Sequence, residues 1–140
     1  MNNKGQSGFS LIELLLVVVI IGVIAALAVP SLQRGIRAAD NGNAYGSMRT
    51  LVSNQVSFYS QNSRFARLAE LNALNNGNLG TTTGNDLLRG KFTFSMNPIA
   101  PTDAELREQF IMIATKSVSP LDVPYVISVD QSGLIVQILP

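Results

Sequence analysis

A chain of 140 residues is long enough for one domain, and 46% of its residues are hydrophobic. Ten basic side chains face nine acidic ones, a near balance that argues against bulk electrostatic binding of nucleic acid, which needs a basic stripe to displace phosphate counterions. There is no cysteine to staple the fold or report its compartment, and no histidine to act as the commonest general base or metal ligand, so the usual equipment of an enzyme is missing.

In chain order, a short polar leader (residues 1–8) with one charged side chain, Lys4, comes first. Phe9 to Val29 follow, 21 residues of which only Ser10, Glu13 and Gly22 are not apolar. As a helix rising about 1.5 Å per residue they span roughly 32 Å, which matches the hydrocarbon core of a bilayer. The same outline fits an ordinary secretory signal peptide cut after Ala26-Leu27-Ala28, before Val29. That reading leaves Glu13 unexplained, because a carboxylate in a hydrophobic segment costs about 2.5 to 3.5 kcal/mol even on the mild insertion scale. Such an acid either has a partner or snorkels to the membrane surface. Pro30 lacks a backbone N–H and clashes with the carbonyl four residues back, so a kink is expected there. Gly22 weakens the same stretch by about 1 kcal/mol relative to alanine. A plain membrane-helix proline with no further role fits these residues equally. Lys4 on one side and Arg34 and Arg37 on the other give only a weak orientation signal.

Apolar residues then recur at helical spacing: Leu32, Ile36 and Ala39, then Met48, Leu51, Val52, Val56 and Tyr59, with Gln55 as a miss in the pattern. The spacing predicts an amphipathic helix over residues 31–60, one face of which covers a sheet. Gly35, Gly42 and Gly46 predict bending, or else a close approach of neighbouring helices. Residues 61–88 are rich in Asn, Gly and Thr and read as a loop, with one short helix at Leu68 to Leu74. Four strands are predicted in 89–140: Lys91 to Met96, Gln109 to Thr115, Pro124 to Val129 and Leu134 to Leu139. Asp130-Gln131-Ser132-Gly133 reads as a hairpin turn between the last two, and Pro98 to Glu108 as a solvated loop or a single helical turn. The expected fold class is α+β: a long N-terminal helix, its first half membrane-spanning and its second amphipathic, packed on a C-terminal antiparallel sheet of about four strands.

The residues Gly8-Phe9-Ser10-Leu11-Ile12-Glu13-Leu14, running directly into the apolar segment, resemble the processing site of type IV pilins and pseudopilins. The resemblance covers about the first 45 residues and includes Gly22 and Pro30, where the family places its helix-weakening residues. It implies that a prepilin peptidase cuts between Gly8 and Phe9 and that Phe9 becomes N-methylated. The leader is then lost while the hydrophobic run of 9–30 stays, ahead of a soluble head spanning 31–140. It implies assembly through the amino terminus of Phe9 and the carboxylate of Glu13. Each is expensive alone in hydrocarbon, and pairing them between adjacent subunits turns two costs into one contact. A contact of that heterologous kind propagates as an open helical homo-oligomer. The family also implies loosening of Gly22 to Val29 on assembly, an exposed variable loop at 61–88, and an inner-membrane platform and assembly ATPase as partners. The single-pass precursor sits among membrane lipid in the inner membrane before joining an extracellular filament.

The main alternative is a major or minor pseudopilin of type II secretion, acting in the periplasm. Leu121-Asp122-Val123-Pro124-Tyr125 keeps an Asp and the Pro-Tyr pair of the major pseudopilin motif but lacks its Trp and Gly. The Glu13 carboxylate favours a subunit of the filament body, since tip members often lack it. A secreted or single-pass membrane binding protein is the reading from another class. No cofactor or metal is expected: Asp122 and Asp130, without dense oxygen ligands around them, read as solvated loop charges. Spacing does not support a Ser-Lys pair built on Lys91 or Lys116. Arg64 and Arg67 with Phe65 are too small a basic-aromatic cluster to establish nucleic-acid binding.

Overall fold

The computed structural model describes residues 8–116 and 124–139. Residues 1–7, with Lys4 among them, and Leu121, Asp122 and Val123 lie outside the described residues. The chain divides into two compact units with the boundary after Ala38.

Helix α1 runs from Leu11 to Asn62. Within the first unit every large apolar side chain from Phe9 to Ile36 is at least 46% exposed. The helix holds an 18-residue window of mean hydropathy 3.1, none of it buried, and is long and apolar enough to cross a membrane. Pro30 lies inside the helix. Proline is tolerated in such segments because nearby groups re-satisfy the freed backbone carbonyl.

In the second unit α1 buries Ala44, Met48, Leu51 and Gln55, an i, i+4, i+7, i+11 row that presents one stripe to a core. Helix α2 (Leu68–Leu74) follows, as predicted. The sheet is antiparallel throughout, with its strands in sequence order: β1 (Thr81–Thr83), β2 (Asp86–Arg89), β3 (Phe92–Met96), β4 (Ile111–Lys116), β5 (Val126–Asp130) and β6 (Ile135–Leu139). Helix α3 (Asp103–Glu108) fills the Pro98 to Glu108 connection, capped by Thr102, whose hydroxyl accepts the Glu105 N–H while the Glu105 carboxylate accepts the Thr102 N–H.

Six strands replace the expected four, because β1 and β2 arise inside the segment read as loop. The turns explain why. Gly84 and Gly90, at φ 60° and 61°, open two-residue connections between β1 and β2 and between β2 and β3, where the positive φ matches the strands' twist. The expected hairpin at 130–133 is present: Asp130 accepts the Ser132 N–H at 2.9 Å, and Gly133 donates back to the Asp130 carbonyl at 3.0 Å.

Side chains alternate along the central strands. Phe92, Phe94 and Met96 of β3 are buried between half-buried Thr93 and Ser95. Register aligns Leu87, Phe94, Ala114 and Ile127 across four strands, giving an apolar row on the face that carries the core. The α1 stripe packs in the same cluster, together with Leu68 and Leu71 of α2 and Leu106 of α3.

Candidate functional site

Residues 8–10 are not helical, and α1 begins at Leu11. The sequence stops the helix there by a local device. The Ser10 carbonyl accepts the N–H groups of Glu13 (3.0 Å) and Leu14 (3.2 Å), and the Glu13 carboxylate turns back to accept the Ser10 N–H at 2.9 Å. Ser10 is thus the N-cap, and Glu13 closes half of a capping box three residues on. A carboxylate in the first turn also faces the positive end of the helix dipole. The Gly8–Phe9 bond therefore lies in non-helical backbone, two residues ahead of the cap. Phe9 is 83% exposed, and a Cβ added at Gly8 or at Gly22 would meet nothing within 4 Å. No packing among the described residues requires glycine at either place.

The other sequence candidates lie in the second unit. Arg64 makes a two-pronged ion pair with Glu70 (2.8 and 3.0 Å) and sits over the Phe58 ring at 5.2 Å. The Arg64 guanidinium, with the Arg67 N–H behind it, holds the Glu70 carboxyl below the usual carboxylate range. Arg67 pairs with Asp103 at 2.6 Å and donates to the Pro101 carbonyl. Phe65 is buried between Tyr59 and Phe110, with ring centroids 4.6 Å from each. This cluster is spent on holding α2 and α3 to the end of α1. Asp130 is held below its ordinary value by the Ser132 hydroxyl and N–H. Among the described residues no group of three or more carboxylates gathers to hold a metal.

Sequence reading missed Asp40. It receives Lys91 at 2.9 Å and Lys116 at 3.6 Å, and Lys116 is only 3% exposed. The Lys91 ammonium, then Lys116, keeps the Asp40 carboxyl below 3.8 against the opposing effect of burial. The partners come from distant strands, so no local motif announces the cluster.

Residues 3–29 match the family model described as the prokaryotic N-terminal methylation motif. The chain is 36% identical over 67 residues to the type IV major pilin protein PilA of Myxococcus xanthus (strain DK1622). That alignment covers 48% of this chain and 30% of the relative, so the likeness is to part of it. No solved structure matches. The chain thus bears the prokaryotic N-terminal methylation motif at the head of an exposed apolar helix and is similar, over about half its length, to a type IV major pilin.

Proposed function

We propose that the protein is the structural subunit of a type IV pilus filament, held in the inner membrane as a single-pass precursor and moved to the cell surface by polymerisation. A prepilin peptidase removes residues 1–8, Phe9 is N-methylated, and the new amino terminus pairs with Glu13 of a neighbouring copy. An inner-membrane platform and an assembly ATPase drive the exchange of lipid for other helices around the apolar run. The role is structural, without catalysis. Gly22 and Pro30 are the points where α1 loosens on assembly, and the division of labour is leader 1–8, filament-core helix 9–30 and head 31–140. A major pilin as the relative favours a pilus over a secretion pseudopilus.

The observation that carries this reading is Glu13 at the head of a helix whose apolar 18-residue window is wholly unburied. Within one copy, the described residues offer the carboxylate the Ser10 N–H and the positive end of the helix dipole against its cost in hydrocarbon. A neighbour's ammonium offsets far more, so the acid drives polymerisation and sets its register. Gly8→Val tests the processing step. Because a Cβ added at residue 8 meets nothing within 4 Å among the described residues, the variant is expected to accumulate in the membrane fraction at precursor mass, with no shed filament. Normal trimming of Gly8→Val to a chain beginning at Phe9 would contradict it.

A further inference from the structure

The sheet of the second unit has two open edges. Its strands lie in sequence order, so among the described residues β1 is paired by β2 alone and β6 by β5 alone. The outer N–H and C=O groups of an edge strand are a template for a further strand, and folds usually blunt them with a charge, a proline or a bulge. β6 has no charge and no proline between Ile135 and Leu139, and its pairing to β5 is irregular only between Val126 and Ile127. It exposes apolar side chains instead: Leu134 just ahead of it is 68% exposed, Val136 49% and Ile138 54%. β1 is three exposed threonines, β-branched and uncharged.

The topology makes these two edges fit each other. Every neighbouring pair is antiparallel and the strand number is even, so β1 and β6 point in opposite directions. A second copy shifted sideways along the sheet, and turned by the sheet's own twist, therefore brings its β1 antiparallel to β6, as at every seam within the sheet. The faces match as well. One row crosses all six strands through Thr82, Leu87, Phe94, Ala114, Ile127 and Gln137, and its four apolar members are buried in the core. Thr82 lies on that side, since its hydroxyl accepts the Asn72 amide of α2 at 2.8 Å. Thr83 and Val136, each one residue along its strand, lie on the outer face. Continuing the row from Gln137 to Thr82 of the next copy sets Val136 against Thr83, a β-branched pair, with no side chain moved to the wrong face.

We propose that β6 of one copy pairs antiparallel with β1 of the next, so that the sheets of neighbouring heads run on into one another. The proposal rests on the filament reading. The contact is heterologous and repeats without closing, as a filament requires. A seam of about three residue pairs buries far less than the roughly 1,200 Å² of a stable interface, so it does not hold two free heads together. It suits subunits already gathered by their α1 helices, whose register it then fixes.

The chain has no cysteine, so an introduced pair reports the seam without background. In filaments sheared from cells and oxidised with copper phenanthroline, V136C combined with T83C should give a ladder of linked dimers, trimers and longer species. V136C alone and T83C alone should stay monomeric. Q137C combined with T83C, whose side chains leave opposite faces of the sheet, should link at least fivefold less. As a second reading, V136K puts a charge on the edge and should lower filament yield at least threefold with subunit level unchanged. Filaments of V136C/T83C that stay unlinked or link no better than Q137C/T83C, dimers from V136C alone, or a normal yield from V136K overturn the seam while the filament reading stands. An unaltered chain that yields no filament overturns the filament reading, and the seam with it.

Discussion

Gln55 is fully buried, yet its amide is satisfied at both ends: Nε2 donates to the Ala66 carbonyl at 2.7 Å, and Oε1 accepts the Ala66 N–H at 2.8 Å. It pins the chain leaving α1 back onto the helix. In the sequence it reads as an error in an apolar row, because periodicity counts apolarity and is blind to a polar group bonded on the core side. The same reading placed Val56 and Tyr59 on the buried face, and both are exposed. Replacing Gln55 by Leu keeps the volume and strands both backbone groups of Ala66. The expected loss is about 2 to 4 kcal/mol, measured by chemical denaturation of the detergent-solubilised protein. Asp40 gives a pH signature. Its folded pKa is depressed, so its contribution is present above the unfolded value near 4 and fades as pH falls through the lower folded value. Asp40→Asn removes the counter-ion of buried Lys116 and should cost about 2 kcal/mol at pH 7. As pH falls through the lowered folded value, the difference between variant and unaltered protein should shrink, as read in melting curves across pH.

At the scale of elements, the four later strands and α2 were legible because each carries a local signal, β-branched runs or a short apolar period, while α3 was read only as a solvated loop or a single helical turn, its Thr102–Glu105 capping pair unnoticed. The first two strands were not. β1 is three exposed threonines, and β2 buries Leu87 alone, with Asp86 half-buried, so neither shows an apolar alternation. Their signal lay in the connections, since Thr83-Gly84-Asn85-Asp86 and Arg89-Gly90-Lys91-Phe92 each place glycine first in a two-residue hairpin loop. A valine at Gly84 would have to hold φ near 60°. Gly84→Val should therefore cost at least about 1 kcal/mol and loosen β1 from β2, seen as faster hydrogen exchange of the amides pairing Thr81 with Leu88.

For the whole molecule, the most informative stretch was also the shortest. Seven residues from Gly8 to Leu14 lie within the N-terminal methylation motif, and the apolar run behind them needs no tertiary partner to be recognised. Their chemistry is legible because it is local: a bond outside the helix, a cap, and an acid in the first turn. The head is legible as α+β, whereas the charges joining its distant strands, Asp40 with Lys91 and Lys116, appear only once the sheet is assembled. The central claim is that this helix is kept, processed and polymerised. The most direct measurement is the intact mass and N-terminal sequence of the protein sheared from the surface of its native cells. A methylated chain beginning at Phe9 in a filament fraction is the predicted result. A soluble, unmodified chain beginning at Val29 would contradict the account and make the first 28 residues a discarded signal peptide.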